Sequence, residues 1–299
     1  MQNCVEIVMR SKNDGPLIRD VLDAVHRQDH PVPVRMVHID SGSTDHTVDI
    51  IRSFCPWKLI QIRAEDYVPG VVLNRGMRET SGDWVVFLNS DAEPADPAWL
   101  GALLATTMAS PRTATAFSRQ LPRANCDAVF AHDYDRCFGL DRESDRWEHF
   151  FSMVSCAVNR TAWREHPFRE DLQYAEDDEW SKRVKRHGWR VAFSETSRAV
   201  HSHNYTWREA YRRSRGDAFA QSASGEHAPG PKNSHPAAVA GALRDGIKDW
   251  AWCRIRGRRR EWPHALAIRL AQRLGKADGY RAGWKHYGRT QTGSLATAT

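Results

Sequence analysis

Carboxylates at three places and one pair of histidines carry the chemistry this sequence could do. Asp40 opens "DSGSTDHT" directly after an apolar run. A carboxylate there can accept a hydrogen bond from a pyrimidine N3–H, and the small Ser41, Gly42 and Ser43 let backbone approach a nucleotide closely. A plain strand-to-helix turn with a cap would use the same residues, so both readings stay open. Asp91 lies in "VVFLNSDAEP", at the tip of another apolar run. A lone carboxylate in that position can hold Mg²⁺ or Mn²⁺ against a diphosphate, the ion filling its other positions with phosphate oxygens and water. A turn-forming Asp before Pro94 is the alternative.

Glu176, Asp177, Asp178 and Glu179 stand in a row, followed by Trp180. Transfer to an alcohol needs a base for the hydroxyl proton, and a carboxylate at a helix start is suited to that task. Complementation of the helix dipole would explain any two of these acids. Four in a row repel one another unless one is protonated or engaged. His201 and His203 are two apart in "AVHSHNY". On a strand both would face one side and could reach one ion or phosphate; a satisfied structural histidine is the competing reading.

These residues need elements to position them. "VEIVM", "VRMVHID", "WKLIQIR" and "DWVVFLNSD" read as apolar strands, separated by helices in "GPLIRDVLDAVHRQ" (apolar at Leu17, Val21, Leu22, Val25), "DHTVDIIRSF" (Thr44 or Asp45 as cap) and "VVLNRGMRET". Continuous apolar strands between helices imply a parallel sheet buried on both faces, with ligands outside the carboxyl ends where Asp40 and Asp91 lie. Residues 120–150 are polar without a period and read as an irregular excursion over the active site. "SMVSCAVNRTAW" resumes strand then helix, "EDDEWSKRVKRHG" is a helix, and "WRVAFS" and "SRAVHSHNY" read as strands. A short helix at about 207–220 precedes a linker, "SASGEHAPGPKNSHP", and a basic helical end. The expected domains are 1–206, holding the nucleotide and acceptor sites, and 207–299.

Hydrophobic residues at 41% and charged ones at 27% fit a chain that buries a real core. The twelve tryptophans suit sugar-stacking surfaces or, more commonly for any single one, ordinary core and interface packing. Six scattered cysteines without a CxxC pair fit a reducing compartment. With no signal-peptide pattern and no apolar stretch of about 20 residues, the expectation is a cytoplasmic protein, soluble or peripheral to a membrane. From Trp207 onward 18 Lys and Arg face 7 acids, so the first 206 residues are net acidic although the whole chain carries +6. In "IKDWAWCRIRGRRREW", Trp250, Trp252, Ile255 and Trp262 interleave with Arg254, Arg256, Arg258, Arg259 and Arg260. That mix suits an anionic membrane interface, while a solvated basic helix packed on the catalytic domain would share it.

The order of these segments resembles a family-2 glycosyltransferase. The resemblance rests on "VMRSKND", "IDSGSTDHT", "VLNRGMRETSGDWVVFLNSDAEP", "CAVNRTAW" and "YAEDDEWSKRVKRHGWRVAF", ending with "AVHSHNYT", over about residues 5–215. The last part is similar to the rhamnosyltransferase-like branch that builds bacterial surface polysaccharides. The resemblance implies an α/β GT-A fold: a Rossmann-like, mostly parallel central sheet flanked by helices, here followed by a basic helical extension. It implies an inverting transfer of a sugar, rhamnose foremost, from a nucleotide diphosphate donor to a hydroxyl of a saccharide or lipid-linked saccharide. Arg10, Ser11 and Asn13 would line the nucleotide pocket, Asp40 would read the base and Asn74 would lie beside the donor. Asp91 matches the last acid of the family's DxD metal motif, and His201, with His203 as companion, would approach the metal. Asp177 would be the base, with Glu176 and Trp180 at the acceptor. Where many relatives carry the first acid of DxD this chain has Asn89, a weaker ligand, which puts the Mg²⁺ or Mn²⁺ requirement in question.

Other readings remain at the level of sequence, among them a nucleotidyltransferase on a similar fold, although "MRSKNDGP" is a poor match to the Gly-rich phosphate loop such an enzyme would usually present near the first strand. A non-catalytic sugar-nucleotide-binding module is kept alive by Asn89 and opposed by "EDDEW". A UDP-hexose donor would fit the same frame. Nucleic acid is not an expected partner, because acids crowd the catalytic end and any such binding would map to the tail.

Overall fold

Apolar runs that alternate with amphipathic helices dictate a βα succession, and the computed structural model has it. Residues 4–223 and 230–296 are described; positions 224–229 of the expected linker lie outside the described residues. In chain order the elements are β1 (Val5–Ser11), α1 (Gly15–His26), β2 (Val34–Asp40), α2 (Thr47–Ser53), β3 (Lys58–Gln61), α3 (Pro69–Arg78), β4 (Trp84–Asn89), β5 (Glu93–Pro94), α4 (Trp99–Thr107) and β6 (Thr113–Leu121). Then come α5 (Ala128–Phe138), β7 (Ser155–Asn159), α6 (Arg160–Glu165), α7 (Glu176–Arg186), β8 (Arg190–Val200), α8 (Trp207–Ala223), α9 (His235–Ile255) and α10 (Trp262–Ala296).

The chain divides into two compact units, the first comprising residues 1–123, 141–172 and 176–201. Its sheet has the order β3-β2-β1-β4-β7-β6-β8-β5. The block β3-β2-β1-β4 is parallel throughout, so the carboxyl ends of β1, β2 and β4 share one edge. Beyond it the sheet turns mixed: β7 runs antiparallel to β4 and β6, β6 is parallel to β8, and β5 is antiparallel to β8. Ile7, Met9, Val86 and Leu88 join Ile18, Val21, Leu22 and Val25 of α1 in one core. The buried stripe of α1 thus starts at Ile18, with Leu17 only partly covered. Helix α2 starts at Thr47, after His46, yet its first amide is capped by the Asp45 carboxylate at 3.0 Å. The two strands expected across 189–205 are one bulged strand, β8, which ends at Val200. His201 and His203 therefore follow the strand, and the alternation argument does not apply to them.

The second unit comprises 124–140, 173–175 and 202–299. The expected irregular excursion contains α5, whose Val129, Phe130 and Ala131 pack in a cluster with Ala265, Ile268 and Ala271 of α10. Arg269 of α10, mostly buried, binds Asp133 of α5 and Asp249 of α9 at 2.8 Å each, and Asp249 also contacts His132 at 2.6 Å. Polar residues that looked aperiodic in sequence are the partners of this buried ion network. Helices α8 and α10 run parallel and very close: a Cβ at Gly275, Gly279 or Gly283 would lie 2.3–2.4 Å from the carbonyl oxygens of Tyr211, Arg215 and Phe219. Among the described residues, no helix is long and apolar enough to cross a membrane.

Candidate active site

The shared edge of β1, β2 and β4 opens into a cleft of about 280 Å³ lined by Arg10, Ser11, Lys12, Asp14, Ser41, Tyr67, Asn89, Ser90 and Asp91. Strand geometry explains the lining. The parallel ladder sets Ser11 beside Asp40 and Arg10 beside Asn89, and carries on past the strand ends through the Ser41 and Ser90 amides, which donate to the Ser11 and Arg10 carbonyls. Asp40 is fully buried; its carboxylate accepts from the Ser11 hydroxyl at 3.0 Å and the Ser43 amide at 2.9 Å. Asn13 adopts a left-handed backbone (φ 56°), which an Asn tolerates. Its amide donates to the Ser43 hydroxyl and its side chain accepts from the Thr44 amide, 2.8 Å each. Two turns are thereby sewn into one wall.

At the start of α7 the four acids take separate partners. Asp178 pairs with Lys182 at 2.7 Å and Glu179 with Arg183 at 2.7 Å, both one turn along the helix. Glu176 faces Arg10, with 3.8 Å between Oε1 and Nη1. Asp177 is half-buried and accepts from the Asp178 amide at 2.8 Å. Burial drives its carboxyl above the ordinary 3.8, reinforced by the neighbouring Asp178 and opposed by that amide and the Arg10 guanidinium. Arg10 is thus the link from the cleft to α7, for its Nη2 also donates to Asn89 Oδ1 at 3.0 Å.

Asp91 and His201 meet on the other side, with 3.5 Å between Oδ2 and Nε2. Gln120 fixes the imidazole: its amide nitrogen donates to the Ser152 hydroxyl at 2.7 Å, turning its oxygen to accept from His201 Nδ1 at 2.9 Å. With Nδ1 turned to Gln120, Nε2 is the ring nitrogen that faces the carboxylate. That opposition fits a divalent cation between them, and the Gln120 contact is the support that metal-ligating histidines usually have. Sequence reading missed Gln120, and also Arg123, whose guanidinium donates to the Asp91 carbonyl. Nor did it single out Asp14, whose carboxyl lies in the cleft against Ser90 and is raised chiefly by burial.

Two expected residues fall elsewhere. Asn74 is buried with its amide filled by protein: it donates to the Phe168 carbonyl and Glu170, and accepts from the Trp163 indole and the Phe168 amide. It pins α3 to the segment after α6 and is not in the cleft lining. Trp180 is completely buried against Phe151 and Phe168, its indole donating to the His166 carbonyl, so it is core and offers no acceptor surface. His203 belongs to the second unit, where it is exposed and stacks on Tyr205. A further residue, His149, contacts Ser181 of α7 at 2.8 Å and lies 3.8 Å from Asp178; burial lowers it to about 4 and keeps it neutral.

The model of the family described as "Glycosyl transferase family 2" matches residues 6–166. The chain belongs to glycosyl transferase family 2. Among curated relatives, this transferase is 28% identical over 220 residues to the O-antigen chain rhamnosyltransferase RfbN of Salmonella typhimurium, covering 70% of this chain and 69% of that protein. It is 26% identical over 192 residues to the O-antigen chain rhamnosyltransferase WbaN of Salmonella anatum, covering 60% of each. Its fold is similar to that of the mannosyltransferase PcManGT from Pyrobaculum calidifontis, solved with GDP-Man and Mn²⁺, at TM-score 0.61 and 20% identity over 91% of this chain and 87% of that one. It is also similar to glucosyl-3-phosphoglycerate synthase from Mycobacterium tuberculosis, solved with Mg²⁺ and UDP, at TM-score 0.51 and 19% identity over 71% of this chain and 76% of that one. The transferase is an α/β GT-A protein with a mixed central sheet whose parallel block carries the cleft.

Proposed function

We propose that this transferase moves rhamnose from a deoxythymidine-diphosphate donor to a hydroxyl of a growing surface saccharide, with inversion at the anomeric carbon. The observation that carries the reading is Arg10, which lines the Asp91 cleft and reaches the acids at the start of α7. The rhamnosyl donor and the O-antigen type of acceptor rest on what RfbN and WbaN are named for. Arg10, Ser11 and Asn13 line the nucleotide end, and Asp40 orders the turn that receives the base. Asp177 takes the acceptor proton as the hydroxyl attacks from the side opposite the leaving diphosphate, and Glu176 orients the acceptor. Asp91 and His201, with His203 two residues on in sequence, would hold a divalent ion, which would neutralise charge on the departing diphosphate. An imidazole in the donor set favours Mn²⁺ over Mg²⁺, which prefers oxygen ligands and water.

The work is proposed to take place at the cytoplasmic face of a membrane. Helix α9 buries Ala238, Gly241, Ala242, Gly246 and Cys253 and leaves Val239, Leu243, Ile247 and Trp250 exposed on one side, near the exposed cations Arg244, Lys248 and Arg254. Trp252 and Trp262, expected in this surface, turn inward instead, their indoles donating to Asp135 and to the Gly246 carbonyl.

A thermal-shift screen of nucleotide sugars with and without Mn²⁺ tests the donor reading. Deoxythymidine-diphosphate rhamnose at 100 times its Kd should add about 2.7 kcal/mol of stability. Mn²⁺ should deepen the shift, and Asp91→Ala should lose both the shift and the metal response. A larger response to a UDP-hexose would change the donor, and silence toward every nucleotide sugar would refute the reading.

A further inference from the structure

Arg10 and Asn89 face each other at the last shared position of β1 and β4, at the lip of the cleft. The guanidinium is divided between two neighbours: Nη2 donates to Asn89 Oδ1 at 3.0 Å, and Nη1 lies 3.8 Å from Glu176 Oε1. The Arg10 and Glu176 side chains are only 14% and 12% exposed, so this charge is poorly screened by water. An amide at 89 fixes the guanidinium through its oxygen and leaves the positive charge undiminished. A carboxylate at 89 would draw the cation away from Glu176 and add negative charge between Asp14 and Asp91 on one side and α7 on the other. The Asn89 oxygen is already engaged by Arg10.

We propose that Asn89 is a positioning residue: it holds Arg10 against the Glu176–Asp177 pair, and its side chain is not a ligand of the divalent ion. The consequence for turnover rests on Asp177 being the base. The charged side chains acting on Asp177 are Arg10 and Asp178, with the Cys156 thiol of β7 behind it, pushed by burial up to about 12 and therefore neutral. His149 faces Asp178 and is neutral as well. Arg10 is thus the one cation among these groups, and a change at 89 reaches Asp177 through it.

The test uses the full chain as wild type, Asn89→Asp and Asn89→Ala. Side-chain carboxyl NMR, with the Asp177 signal assigned by its loss in Asp177→Asn, follows the Asp177 titration without turnover. Mn²⁺ titration of the donor-induced melting shift follows the metal. Asn89→Asp should raise the Asp177 titration by roughly half a unit to one unit, with the Mn²⁺ midpoint within about twofold of wild type. Asn89→Ala, which frees the guanidinium, should lower kcat about tenfold with donor KM near wild type. An Asp177 titration that ignores both substitutions overturns the proposal. So does Asn89→Asp tightening Mn²⁺ tenfold, which would make position 89 a ligand. If Asp177 responds to Asn89→Asp while Asp177→Asn retains full turnover, the base assignment fails and the positioning role stands.

Discussion

Asp178 and Glu179 each close on a cation four residues along α7, whereas Asp177 is left half-buried with the Asp178 and Met153 amides and the distant Arg10 to favour its charge. The pairings with Lys182 and Arg183 join residues four apart, which face each other on a helix. They account for two of the four acids and leave Glu176 and Asp177 for chemistry. A raised carboxyl that acts as a base is effective only when ionised. Activity should therefore be present at pH values above the Asp177 titration and be lost as pH falls through it, at a point above the ordinary 3.8. Some residues were not legible in the sequence. Asn74 and Trp180 occupy motif positions, but a motif says where a residue falls in the chain and not which way its side chain points. Asp40 was read for a base; its oxygens are engaged by Ser11 and Ser43, so its influence on a nucleotide passes through the turn it orders. Gln120 and Arg123 had no signal, since their importance comes from packing β6 and its exit beside Asp91.

At the scale of elements, the parallel block was readable because β1, β2 and β4 are nearly unbroken apolar runs ending at the residues that matter. The mixed half was harder to read: β6 ("TATAFSRQL") is diluted with Thr and Ser, yet is buried almost throughout. Helix α5 has an apolar face too short to show a period, and its acids make sense only beside Arg269. The long last helix was expected to be basic and helical, but its Gly275, Gly279 and Gly283 spacing also specifies a face. That spacing lets α8 approach until backbone meets backbone. Gly279→Leu should therefore lower the denaturation midpoint by the equivalent of about 1–3 kcal/mol or more. Gly288→Ala, where a Cβ meets nothing within 4 Å, should be neutral or stabilising by up to about 1 kcal/mol. Equal midpoints for Gly279→Leu and wild type would contradict the close packing.

For the molecule as a whole, charge is the property with a consequence. The basic residues concentrate after Trp207, while the cleft-forming part of the chain is net acidic. An anionic bilayer should attract the first without competing for the second, and exposed Ile247 and Trp250 can add apolar burial at the lipid boundary. Co-sedimentation with vesicles containing phosphatidylglycerol at low salt should be strong, and should fall when Ile247 and Trp250 are both changed to Ser. Equal recovery with neutral and anionic vesicles would contradict the membrane reading. The central claim, that acids brought together from distant parts of the chain make one transfer site with Asp177 as its base, is tested most directly by the turnover of Asp177→Asn across pH. Wild type should show an acid limb, and the variant should run about 10²–10⁴-fold slower without that limb while still binding donor. A variant that transfers sugar at the wild-type rate with the limb intact would contradict the account.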